Sequence, residues 1–193
     1  MLNRKDQNFK AFFIKDFLND QTRSWTNEKS NTDDIELSAS VGMGSDDGDT
    51  TVVLMGMGGF RDQYASARLK FISPTVTGSE DIGICIRILT MDAPDAAYYY
   101  ARADGGIAKL TRVSSGSFTN LSQSAFALAE NQWCRITLQA VGNVLSASFV
   151  ADGGTPAAVN LTAVDSRIPT GGSMCFRSMS STVFCESFTG SQL

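Results

Sequence analysis

"QWCRITLQAVGNVLSASFVADGG", Gln132 to Gly154, alternates apolar and polar residues with a period of two on both sides of a single Gly-Asn pair. Cys134, Ile136, Leu138 and Ala140 share one face of the first half; Leu145, Ala147 and Phe149 continue an apolar face in the second. Successive side chains of a strand point to opposite faces, so the pattern predicts two strands, each buried on one side. Gly142 and Asn143 both tolerate positive φ, which makes the pair a tight turn and the stretch a β-hairpin.

The same period extends outward. "SARLKFIS", from Ser66, sets Ala67, Leu69 and Phe71 against Arg68 and Lys70, and "DIGICIRIL", from Asp81, sets Ile82, Ile84, Ile86 and Ile88 against Gly83, Cys85 and Arg87. Turn-forming segments such as "GSDDGD", "TMDAPD", "VSSGS" and "ADGGTP" punctuate these runs. Many short strands with regular turns predict an antiparallel sandwich or barrel. "FKAFFIKDFLND" could stripe Phe9, Phe12, Phe13 and Phe17 along a helix, but a strand from about Phe12 is the reading taken. Near the end, Pro169, Gly171 and Gly172 form a bend and Met174 and Phe176 fill one face, so Asp165 to Gly190 reads as scaffold.

Composition narrows the chemistry. The 193 residues, 42% of them hydrophobic, suffice for one core and one domain. A net charge of -4 supplies no basic footprint, so no nucleic-acid partner is expected. Histidine is absent, which removes the commonest metal ligand and general base. The opening "MLNRKDQNFKAFF" lacks the apolar core of a secretory signal, and no apolar run approaches the roughly 18 residues of a membrane span. A soluble chain without a membrane partner is expected. Cys85, Cys134, Cys175 and Cys185 form no CxxC pair; they are read as thiols, with no zinc, other metal or cofactor expected.

The order of elements resembles a known family. "AAYYYARADGGIAKLTRVSSGSFTNLSQSAFALAENQWCRITLQAVGNVLSASFVADGG", followed by "DSRIPTGGSMCFRS" and "VFCESFTG", resembles the concanavalin-A-like, laminin-G-like jelly-roll sandwiches, including those of bacteriophage virion proteins. The likeness extends loosely back through "FRDQYASARLKF" to "SWTNE" and "KDFLND". It implies an all-β, antiparallel two-sheet jelly roll over residues 12–193, preceded by a short N-terminal arm, residues 1–11. It also implies that the final strand pairs beside the first, and that Trp25 and Trp133 belong to the core.

Some members of this fold resemble glucanases, whose carboxylates alternate along one strand. Here Glu36, Glu80 and Glu186 are isolated, and no catalytic residue is assigned. The family's calcium-binding aspartate would stand at Cys185, a poor calcium ligand, and Asp46, Asp47 and Asp49 read as a solvated turn. Two candidate surfaces remain. Tyr98, Tyr100 and Arg102 share one strand face suited to stacking against sugars, and Arg4, Lys5, Phe9 and Lys10 make the arm a cationic docking element. The function expected is that of a non-enzymatic bacteriophage accessory protein in the virion, a capsid decoration or tail component. Its partners would be other virion proteins and further copies of itself, with glycan adhesion in addition. The alternative is a free-standing carbohydrate-binding, lectin-like module.

Overall fold

The computed structural model describes residues 10–13, 30–31, 34–43, 50–71, 81–90, 94–104, 106–179 and 183–193. They form two seven-stranded antiparallel sheets. The strands are β1 (Lys10–Phe13), β2 (Ser30–Asn31), β3 (Asp34–Met43), β4 (Thr50–Phe60), β5 (Gln63–Phe71), β6 (Asp81–Thr90) and β7 (Ala97–Asp104). They continue as β8 (Ile107–Ser114), β9 (Ser117–Ala125), β10 (Trp133–Val141), β11 (Val144–Ala151), β12 (Val159–Val164), β13 (Gly171–Met179) and β14 (Val183–Gln192). The first sheet runs β1-β4-β13-β6-β7-β8-β9 and the second β12-β11-β10-β5-β14-β3-β2. This is the jelly-roll sandwich that the alternation predicts.

The hairpin decides the second sheet as expected. Val141 pairs with Val144 around Gly142, whose φ of 57° requires the freedom that glycine has. One face of β5, β10 and β11 packs inward: Ala65, Ala67, Leu69, Cys134, Ile136, Leu138, Leu145, Ala147 and Phe149 are buried in one cluster. Opposite them, the first sheet contributes Ile82, Ile84, Ile86, Tyr99, Leu110, Met174 and Phe176. Burial of these apolar faces, at about 25 cal/mol per Å², drives the two sheets together.

Three expectations need correction. Ile88 does not join Ile82, Ile84 and Ile86. The β6–β7 register shifts between Ile86 and Thr90, Arg87 takes a φ of 52°, and Ile88 packs with Cys85 on the opposite side. A bulge breaks a period of two at the point where it inserts a residue. The last strand does not lie beside the first: β14 pairs with β3 and β5, whereas β1 pairs with β4. Finally, Lys10 and Ala11 lie in β1, opposite Met55 and Leu54, so the first sheet begins two residues before the sandwich's expected start.

Arg87 ties one end of the sandwich together. Its guanidinium is fully buried and donates to the carbonyls of Ile168 (3.1 Å), Gly142 (2.6 Å) and Arg61. Its own amide donates to Gln63 Oε1 at 2.7 Å, and Gln63 Nε2 donates to the Gly171 carbonyl at 2.7 Å. One side chain in a strained, left-handed conformation thereby joins β6, the β10–β11 turn and the approach to β13. Asp165 anchors the same approach, accepting from Tyr99 Oη (2.8 Å), the Arg167 amide (2.8 Å) and Arg112 Nη1 (2.5 Å). Burial alone would raise its pKa, but the Arg167 amide, Tyr99 and Arg112 together hold it below the usual value.

Candidate functional site: two outer faces

The face of each sheet turned away from the core is where chemistry could meet a partner, and the two differ. On the first sheet, β7, β8 and β9 set three cross-strand rows on the outer side: Tyr98, Val113 and Phe118; Tyr100, Thr111 and Asn120; Arg102, Lys109 and Gln123. Tyr98, Tyr100 and Arg102 therefore do share a face, as their alternation predicts. The rings are buried, however, Tyr98 at 2% and Tyr100 at 0% exposure, so neither presents an open surface to a sugar here.

Gly83 explains how Tyr100 lies down on the sheet. A Cβ at that position would stand 2.0 Å from the Ala101 carbonyl oxygen and 2.7 Å from the Tyr100 ring, so only glycine leaves the space. The phenol then donates to Asp81 Oδ1 at 2.5 Å, while Arg102 pairs with Asp81 (2.6 Å) and Asp104 (3.2 Å) and Lys109 pairs with Asp104 (2.6 Å). Arg177 donates to the Tyr98 hydroxyl. Burial raises the Asp81 pKa against the opposing pull of Tyr100 and Arg102, and burial pushes the Tyr100 phenol well above its ordinary value. Beside them Cys85 and Cys175, directly opposite across β6 and β13, stand as buried thiols. Cys134, in the core, is a thiol too, its pKa pushed up to about 12 by burial. This face is a polar network whose members satisfy one another. Toward the β9 edge it opens, where Phe118 is 43% exposed under the Arg102 guanidinium.

The outer face of the second sheet carries the complementary positions of the hairpin. Because Cys134 and Ile136 point inward, Trp133 and Arg135 point outward. Trp133 is half-buried on this face, which corrects its assignment to the core. The Arg68 guanidinium lies 4.7 Å and the Lys70 ammonium 5.0 Å from the ring centroid. Arg68 also pairs with Asp152 at 2.5 Å, and the exposed Arg135 stands directly opposite Arg68 in the ladder. Next to this aromatic and cationic end, two polar rows cross five strands. Thr189, Ser66, Thr137, Ser148 and Asn160 are in register in one, and Ser191, Tyr64, Gln139, Ser146 and Thr162 in the other. Ser66 and Thr137 hydroxyls meet at 3.3 Å; Thr137, Ser148, Gln139, Ser146 and Tyr64 are half-buried, and Asn160 and Thr162 exposed. The signal for this face was in the sequence: the polar half of the same alternation that fixes the core.

Other candidates fall elsewhere. Arg4, Lys5, Phe9, Trp25, Asp46, Asp47, Asp49 and Glu80 lie outside the described residues, as do the side chains of Lys10, Glu36, Cys185 and Glu186. Among the described residues, no three Cys, Asp or Glu side chains gather as a metal site would require.

No family model matches the sequence, and no curated protein matches it either. Solved structures do resemble the fold. The carbohydrate-binding module CBM66 from Bacillus subtilis superposes with a TM-score of 0.55 at 14% identity, covering 84% of this chain and 88% of that one. The calcium-bound exoplasmic/lumenal domain of VIP36 gives 0.56 at 11% identity, covering 85% of each chain. Peanut lectin gives 0.51 at 9%, covering 98% of this chain and 92% of the lectin. The chain thus has the concanavalin-A-like jelly-roll fold, with lectins and carbohydrate-binding modules among the proteins that share it.

Proposed function

We propose that the protein is a non-catalytic carbohydrate-binding module that takes glycan on the outer face of its second sheet. The observation that carries this reading is the pair of cross-strand hydroxyl and amide rows running up to the half-buried Trp133. Sugars are bound by such a combination: an aromatic surface for the apolar ring face, and fixed polar groups for the hydroxyls. Fold neighbours that include a carbohydrate-binding module and a lectin support it. Hydrolysis fits poorly, because the clustered carboxylates Asp81 and Asp104 are held by Arg102 and Lys109 rather than presented to a substrate.

The virion role expected from the sequence has no counterpart among the similar structures, so glycan binding becomes the primary reading; location on a particle is a separate proposal. Affinity electrophoresis of the intact protein through gels containing single polysaccharides tests the module reading. At least one glycan should retard it, and Trp133→Ala, with its fold verified by circular dichroism, should abolish the retardation. Retardation unchanged by that substitution would remove the second-sheet face from the account.

A further inference from the structure

We infer that the glycan recognised by this face is acidic, a carboxylated or sulfated polysaccharide, with its anionic groups paired to the cations around Trp133. The inference rests on the module reading and deepens it. Three cations, Arg68, Lys70 and Arg135, occupy adjacent positions of β5 and β10 in a chain whose net charge is -4, so positive charge is concentrated here against the overall balance. Arg68 and Arg135 are directly opposite each other, an arrangement that is unfavourable across an antiparallel ladder unless an anion relieves it. Among the described side chains the carboxylate meeting this group is Asp152, which is itself 48% exposed and bonded to Arg68 at 2.5 Å. Arg135 is exposed and has no hydrogen bond or ion pair among the described residues.

The placement suits a sugar acid. Neighbouring strands are about 4.8 Å apart and alternate residues along a strand about 6.8 Å apart, so Arg135 lies one step from Trp133 on β10 and one strand from Arg68. A ring seated near Trp133 would bring its carboxylate or sulfate within reach of Arg135. The neutral hydroxyls of the next residues would then meet Thr137 and Gln139 on the polar rows. Arginine forks match carboxylate and sulfate geometry, and a neutral glycan would gain nothing from the three cations. Nucleic acid also carries anions, but it needs a longer basic track than the single cluster seen here.

The intact 193-residue protein should be titrated calorimetrically with polygalacturonate, heparin, neutral dextran and galactomannan, and single-stranded DNA, at 50 and 300 mM NaCl. Polygalacturonate or heparin should bind, with affinity falling about tenfold or more at the higher salt. Arg135→Gln should weaken that binding roughly fivefold and Arg135→Glu should abolish it, both without lowering the melting temperature, since Arg135 is exposed. Salt-insensitive binding, or binding confined to the neutral glycans, would overturn the acidic ligand while leaving the module reading intact. Binding to no glycan would overturn both. Tighter binding to DNA than to the acidic polysaccharides would assign the cations to nucleic acid instead.

Discussion

The two outer faces begin from the same sequence pattern and end differently. On the first sheet, Tyr98, Tyr100, Asp81, Arg102 and Arg177 turn away from the core and bond to one another, leaving the tyrosines buried. On the second, Trp133, Arg135, Thr137 and Gln139 turn away from the core and stay accessible along one side. The contrast teaches that outward-facing is not the same as available. A polar group on a sheet face is open to a ligand only when its neighbours do not already complete its hydrogen bonds.

The largest expected effect lies on the buried face. Gly83→Ala places a methyl group against the Ala101 carbonyl and the Tyr100 ring and should cost roughly 3 kcal/mol or more, read by urea denaturation. If the variant is as stable as the parent, Tyr100 is not held against the sheet and the contrast between the faces fails. Tyr100→Phe comes next. It leaves Asp81 Oδ1 without its phenol donor and should cost about 1–3 kcal/mol while leaving polysaccharide affinity unchanged. Lost affinity would return the first-sheet face to the functional account.

A smaller effect appears with pH. Asp165 has a pKa held below its ordinary 3.8, so it contributes stability that is present above that value and lost as pH falls through the lowered one. Asp165→Asn should lower stability by about 1 kcal/mol at pH 7, and its melting temperature should fall less steeply than the parent's below pH 4. Parallel acid limbs would mean that the Arg112 and Tyr99 contacts do not hold the carboxylate. The smallest effect belongs to the open face: Gln139→Ala should change stability by no more than about 0.5 kcal/mol and yet weaken glycan binding severalfold. A fall in stability without a change in binding would make the polar row structural.

Much of the sandwich was legible because burial imposes a strict period of two. Cys134, Ile136, Leu138, Leu145, Ala147 and Phe149 all lie on the side their spacing required. Ile88 was not legible, because a bulge is set by how β6 meets its neighbours rather than by β6 itself. The place of β14 between β3 and β5 was equally hidden, since pairing between distant strands leaves no local trace. For the site, sharing of one face by Tyr98, Tyr100 and Arg102 was readable, but their burial depends on Gly83, Asp81 and Arg177 from other strands. Trp133 was misplaced although its own neighbour Cys134 already implied the outward side. An aromatic residue beside a core strand invites assignment to the core, and parity is the better guide.

The most direct measurement compares one residue from each face in the same assay: polysaccharide affinity of the parent, Trp133→Ala and Tyr98→Phe, each with its fold confirmed by denaturation. The account predicts that Trp133→Ala lowers affinity at least tenfold while Tyr98→Phe binds as the parent does. Loss of binding in Tyr98→Phe, with Trp133→Ala unaffected, would contradict it and place the ligand on the first sheet.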